Sequence, residues 1–329
     1  MGIDKLIKPV IYFFIRKGMA QMNALEESLL ENENSIKPNS LSQNIVWMDP
    51  TRKDCFGKVP LDLKLRSRTS PITKSMGEGK KNAIMSLVKN PAEPKVYADE
   101  KFMNNFENLA KSLGIGAIGY TKLPKLFMFR KRAVMFDNVI VMGMEMPKDI
   151  IDTVPSEDGA VMFLRIYDTL GIQIAKLVDF LRDHGYGAQT GHPMSSSSLY
   201  VPLAQRAGLG WCGKAGILIN PDFGSRMRLG VLYTSINNLP IRDHNEHAWV
   251  DEFCMKCNRC VRECPAAAIH EKPIVRESGI VTHIDNSKCL PVFIEEYACG
   301  ICIKVCPFSY ESYETIEESF LKKNADLSL

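Results

Sequence analysis

Apolar positions along the chain recur at two spacings. In "DEKFMNNFENLAKSLG", Phe102, Phe106, Leu109 and Leu113 fall on one helical face and Gly114 stops the run. "VMFLRIYDTLGIQIAKLVDFLRDHG" repeats the pattern through Phe163, Ile166, Leu170, Ile174, Leu177 and Leu181, and closes on Gly185. Short apolar runs lie between and beyond these helices: "GAIGY", "NVIVMGMEM", and the pair "AGILIN" and "RLGVLYTS" on either side of the turn "PDFGSR". They read as core strands. Met142, Met144 and Met146 alternate along one of them, so one face of it is core. Helices alternating with short strands predict an α+β, α/β-like core over residues 96–245.

Outside this region the pattern dissolves. Residues 31–95 are polar and broken by proline and glycine, and predict an extended arm. Ahead of them, the apolar stretch from Pro9 to Ile15 runs straight into Arg16-Lys17, with no small-residue cleavage site and no twin arginine. It predicts a surface helix, with peripheral contact to a membrane as the alternative. The first unit is thus an N-terminal helix and arm, 1–95. No run reaches the roughly 18 apolar residues of a membrane span. Residues 314–329 form a polar tail.

Composition narrows the class. The 329 residues suffice for two domains, and 45% hydrophobic with 24% charged residues is ordinary for a soluble chain. A formal charge of +3 is too small to make nucleic acid a bulk partner, leaving only a local basic face. With no export signal the expected compartment is the reducing cytoplasm, where clustered cysteines hold metal rather than form disulfides.

The cysteines are clustered: eight of ten lie in residues 246–313. Cys254, Cys257, Cys260 and Cys264 follow C-x2-C-x2-C-x3-C-P, and Cys299, Cys302 and Cys306-Pro307 follow an isolated Cys289. Two-residue gaps wrap three thiolates around one iron–sulfur cube, and the fourth cysteine of each run reaches the other cube. The expected sets are Cys254, Cys257, Cys260 and Cys306 on one [4Fe–4S] cluster, and Cys264, Cys289, Cys299 and Cys302 on the second. Paired zinc knuckles are the alternative, but those use separated pairs. Cys55 reads as a free thiol of the arm. Two clusters pass single electrons and make no bonds unaided, so the preceding domain must hold their destination or dock a partner that does.

"SLYVPLAQRAGLGWCGKAGILINPDFGSRMRLGVLYT" closely resembles the cobalamin-binding stretch shared by epoxyqueuosine reductases and reductive dehalogenases, which precedes the same two-cluster unit. The correspondence runs from about residue 100 to 310. It rests on Ala207-Gly208-Leu209-Gly210 with Gly213-Lys214, and on Pro221-x-x-Gly224-Ser225. The resemblance implies a nitroreductase-type core holding base-off cobalamin beside one cluster of a bacterial ferredoxin-like domain. Read from the residues, a glycine-dense turn lets backbone approach a bulky ligand, and Ser195, Ser196, Ser197 and Ser198 offer hydroxyls to its polar tail. The candidate cofactor residues are therefore Ser195–Ser198, Ala207, Gly208, Leu209, Gly210, Trp211, Gly213, Lys214, Pro221, Gly224 and Ser225.

Departures bear on substrate. Epoxyqueuosine reductases carry a catalytic aspartate shortly before "PLA"; counting back from Pro202 lands on Met194. The glutamate of the dehalogenase "GLGE" is Trp211 here. By resemblance to the dehalogenases, Tyr167 is the candidate acid, with Lys214 or Arg226 as its basic helper. His192 reads as a second donor or, more simply, a structural turn residue, and Cys212 as a small buried thiol. The expectation is a cytoplasmic reductase resembling the dehalogenases, acting on a small organic substrate and fed by a low-potential donor such as ferredoxin or flavodoxin. Epoxyqueuosine reduction, with tRNA as partner, is the second reading. An electron-transfer protein without corrinoid is the third.

Overall fold

The computed structural model of the chain describes residues 24, 26–43, 63–193 and 197–326. The N-terminal stretch 9–15, Cys55, Met194, Ser195 and Ser196 lie outside them. The first long element is α1, Leu63–Met85. It falls where proline and glycine predict an extended arm, and it keeps Pro71, Gly77 and Gly79 inside a helix. Tertiary packing overrides propensity here. Met76 and Ala83 are buried, and Arg68 pairs with Asp158 at 2.5 Å and Glu157 at 3.7 Å.

Helix α2, Glu100–Ser112, starts where the Asp99 carboxylate accepts the Phe102 amide N–H at 2.7 Å. It buries Met103, Phe106 and Ala110, and Gly114 then turns the chain at φ +83°. Strands β1, Ala117–Lys122, and β2, Asn138–Glu145, follow. Helix α3, Glu157–Asp183, is capped by Ser156 and runs through both halves of the predicted apolar pattern. After it come β3, Ala188–Gly191, α4, Tyr200–Arg206, the two-residue strands β4, Trp211–Cys212, and β5, Leu218–Ile219, and then β6, Met227–Thr234.

The main sheet has the order β1-β2-β6-β3 and is antiparallel throughout. Alternation along β2 sends Ile140 and Met142 into the core under α2 and α3, and Val139 and Val141 into the core under α4. Both faces of β2 are therefore buried, not one as the alternating methionines predict. "AGILIN" does not join this sheet: Leu218 and Ile219 pair only with Cys212 and Trp211.

The cysteine unit follows, with α5, Trp249–Cys257, a helical turn Arg259–Arg262, the hairpin β7–β8 (Ile269–Val275 and Val281–Ile284), α6, Asn286–Glu295, and a turn Ile301–Lys304. The predicted polar tail is instead a helix, α7, Tyr313–Asp326, because Tyr313, Ile316 and Phe320 recur at helical spacing and are buried. Two apolar clusters join core to cysteine unit. Met146, Val154, Met162 and Phe163 meet Ile303 and Cys302. Ile219 and Trp211 meet Val250, Phe308, Tyr313, Cys254 and Cys306. Among the described residues no helix is long and apolar enough to cross a membrane.

Candidate iron–sulfur and substrate site

The cysteine loops are made by backbone that turns the wrong way for ordinary L-residues. Among the described residues, six non-glycine positions have positive φ, and five lie in this unit: Asn258, Ala267, Tyr297, Ala298 and Cys299. Each costs about 1–2 kcal/mol. The turns bring the sulfurs together. Asn258 ends α5 at φ 52°, between Cys257 and Cys260, and Gly300 opens the Ile301–Lys304 turn at φ 89°.

The buried thiols act on one another, and Cys260 reaches Cys302 as well as Cys254. Burial pushes Cys254 up to about 12, with Cys260 and Cys257 adding to the shift. Cys306 is raised by burial and then by Cys254 and Cys260. Burial likewise takes Cys302 to about 12, with Cys299 and Cys289 the nearest further causes, and Cys289 to about 11, with Cys264 and Cys299. Protons are therefore held tightly by thiols that only a metal would strip. No group of three or more His, Cys, Asp or Glu among the described residues closes around a single ion. A four-iron cube needs a wider ring of sulfurs than one tetrahedral ion. The donor set fits two clusters.

The candidate basic residues separate. Lys214 is 4% exposed and points away from Tyr167 into the cysteine loops, where Nζ donates to Asn258 Oδ1 and to the Met255 carbonyl at 3.4 Å. Arg226 pairs with Glu145 and donates from Nε to the Ser309 carbonyl at 3.1 Å, pinning core to cysteine unit. Neither reaches the tyrosine. The cation at Tyr167 is Arg228, which the sequence reading passed over. Its guanidinium lies 4.9 Å from the Tyr167 ring centroid and 4.7 Å from that of Phe163. Strand alternation was the available signal: Met227, Leu229, Val231 and Tyr233 enter the core under α4, so Arg228 faces α3. Tyr167 is half-buried within α3. Arg228 Nε is buried and has no acceptor among the described residues.

The proposed cofactor stretch is spent largely on the protein itself. A Cβ on Gly210 would lie 1.9 Å from the Ile219 carbonyl oxygen, one on Gly224 1.6 Å from that of Phe308, and one on Gly213 3.1 Å from the Ile219 side chain. These glycines allow close backbone packing, not an open cradle. Ala207 is buried, against Gly119, and the Leu209 carbonyl accepts from Asn220. Trp211 packs beside Cys254 and Cys306. Pro221 begins a turn closed on Asn220, whose Oδ1 accepts from the Asp222 and Phe223 amides. The Ser225 hydroxyl meets that of Ser309 at 2.6 Å, and that of Ser198 meets Tyr233 at 2.8 Å. Ser197 is buried with its carbonyl accepting from Phe129. Gly208 opens on a cavity of about 290 Å³ with Arg242, His244, Asn245 and Glu246.

His192 is 3% exposed and wedged between α1 and α3, where glycine leaves it room: a Cβ on Gly171 would come within 2.6 Å of its ring. Burial, then Lys80, lowers it to about 3, so it is neutral and structural. Cys212 is raised by burial to about 12 and contacts His283 Nε2 at 3.4 Å.

Residues 253–310 match a family model described as a 4Fe-4S dicluster domain. The chain is 34% identical over 182 residues to the tetrachloroethene reductive dehalogenase of Sulfurospirillum multivorans, covering 53% of this chain and 36% of that one. It is 30% identical over 138 residues to the epoxyqueuosine reductase of Francisella cf. novicida (strain Fx1), covering 40% and 37%. It thus spans little more than a third of the length of these relatives. A solved catabolic reductive dehalogenase in complex with 3-bromo-4-hydroxybenzoic acid shares the fold, with TM-score 0.63 at 18% identity over 87% of this chain and 44% of that one. The chain is thus similar to both the reductive dehalogenases and the epoxyqueuosine reductases, and its 4Fe-4S dicluster match makes the shared ground an iron–sulfur reductase.

Proposed function

We infer that the chain is a reductase resembling the dehalogenases, which takes electrons through its two clusters to a centre on the α3–β6 face and uses them for reductive elimination on a small organic substrate. The observation that carries this reading is the continuity from cluster to acid. Cys302 shares an apolar cluster with Phe163, and the Gly300 backbone abuts the Phe163 ring. Phe163 stacks on Arg228, and Arg228 on Tyr167.

The homologues point to a corrinoid as that centre. The glycine stretch fits poorly as its cradle, whereas the face carrying Tyr167 and Arg228 fits better, because the buried Arg228 Nε asks for an acceptor that the described residues do not supply. A bound corrinoid would supply a low-valent cobalt able to give two electrons to a carbon–halogen or carbon–oxygen bond. The chain's own part is to hold Arg228 between two rings, where its charge favours an anionic leaving group, and to donate a proton from Tyr167 Oη to carbon. Overall R–X, two electrons and one proton give R–H and X⁻. The reading places the chain in a reducing cytoplasm, fed by a low-potential donor such as ferredoxin.

The packed glycines favour one other reading, an electron-transfer protein without corrinoid. Purification without oxygen, after supplying cobalamin, separates the two. About eight irons with one cobalt per chain, and halide release from a halogenated phenol under reductant, support the enzyme. Eight irons without cobalt leave the carrier. Restored queuosine in cells lacking the reductase would move the substrate to tRNA.

A further inference from the structure

We propose that Lys214 is a potential-setting residue for the cluster on Cys254, Cys257, Cys260 and Cys306: a buried ammonium, delivered by the glycine-rich loop of the core, that stabilises the reduced state of that cluster. The proposal deepens the reading above; it rests on the two-cluster assignment and is independent of the corrinoid.

Lys214 is among the most buried charged residues of the chain, at 4% exposed. Desolvating an ammonium is unfavourable unless charge or good hydrogen bonds compensate. Its two acceptors are neutral, the Asn258 amide and the Met255 carbonyl. Negative charge comes instead from sulfur. The Lys214 charge acts on Cys260, and its backbone N–H donates to Cys254. Asn258, which receives Nζ, is the left-handed residue that shapes the loop between Cys257 and Cys260.

Four thiolates outweigh the positive charge of the iron–sulfide cube, and reduction adds one more negative charge. A fixed cation in a dry site favours that addition, and cluster potentials respond to nearby charge and to hydrogen bonds on sulfur. The opposing carboxylate, Asp251, also acts on Cys254, but it is exposed and screened. The second cluster sees a different field: the groups acting on Cys289, Cys299 and Cys302 are other thiols, backbone N–H groups and Glu296. Lys214 is thus turned toward the cysteine loops rather than toward Tyr167.

The test is a redox titration of the full chain followed by electron paramagnetic resonance, with iron counted first. Lys214→Gln keeps an N–H donor toward Asn258 and removes the charge. The expected result is a full iron complement with one midpoint lowered at least tenfold in its reduction equilibrium, 59 mV for one electron. The other midpoint moves far less, and Lys214→Arg keeps the native value. Unchanged midpoints in an iron-replete Lys214→Gln protein would overturn the proposal. If that variant fails to hold iron, Lys214→Arg decides. A native midpoint supports the role of charge, whereas a tenfold shift or loss of iron leaves only a role of shape. A wild-type chain without about eight irons would instead defeat the two-cluster reading, before any titration begins.

Discussion

Gly224→Ala distinguishes a cofactor cradle from a structural joint. Gly224 has φ +56°, and the added methyl would lie 1.6 Å from the Phe308 carbonyl oxygen and 2.6 Å from its carbonyl carbon. Left-handed backbone at a non-glycine residue costs about 1–2 kcal/mol, and overpacking a buried contact about 1–3 kcal/mol more. The atoms in the way are main chain, so no rotamer change relieves the clash. Phe308 is two residues past Cys306, and the Ser309 carbonyl accepts from Arg226 while its hydroxyl meets Ser225; displacing this turn moves a proposed cluster ligand. A loss of roughly 2–5 kcal/mol corresponds to a fall of roughly 3–7 °C in apparent Tm at this chain length. Thermal unfolding followed by the cluster absorbance, with iron counted on the same sample, reads both effects. An alanine variant with native Tm and full iron that has lost only bound cobalt would refute the reasoning and return Gly224 to the ligand.

Tyr167→Phe leaves iron content and Tm near native but lowers turnover by about 10²–10⁴, the usual worth of a placed proton donor; unchanged turnover removes Tyr167 from the chemistry. Phe320→Ala opens the ring stack on Trp249 and Phe253, at 5.7 Å from each. It should cost about 3–5 kcal/mol and speed bleaching of the clusters in air, read at their visible absorbance. Iron removal should make folding pH-sensitive. Because burial raises Cys254, Cys289 and Cys302 above the ordinary thiol range, the folded apo-protein binds more protons than the unfolded chain above about pH 9. Its stability is full below that pH and falls as pH climbs toward 11–12, whereas the iron-bound protein shows no such loss. Denaturant melts of both forms at pH 8 and pH 10 check the sign.

Local chemistry was legible and long-range placement was not. The two-cluster unit could be read because two- and three-residue gaps bring several sulfurs onto one turn. The faces of α2 and α3 could be read because burial follows helical spacing. Helix α1 could not, since Pro71, Gly77 and Gly79 argue against a helix until α3 packs on it and His192 sits against Gly79. Helix α7 was readable in principle: Tyr313, Ile316 and Phe320 keep helical spacing beneath a charged surface. The three basic residues show the limit most clearly. Lys214, Arg226 and Arg228 lie within fifteen residues, yet they face a cluster, a domain joint and a tyrosine, and no local pattern states which partner is brought to each.

That division of labour explains why the most family-specific stretch is not an open pocket. Residues 207–228 run from the cavity at Gly208 along the cysteine unit to the α3–β6 face, and on the way they use glycine to bring main chain within contact of Ile219 and Phe308. Electron transfer needs the clusters held at a fixed separation from their acceptor, and a joint of backbone against backbone is stiffer than one of long side chains. Lys304 donating to the Val154 carbonyl at 3.0 Å closes the same joint from the other side. The glycines that look like room for a ligand serve to seat the core against the cysteine unit, and under the proposed function that joint keeps the redox path in register with Arg228 and Tyr167.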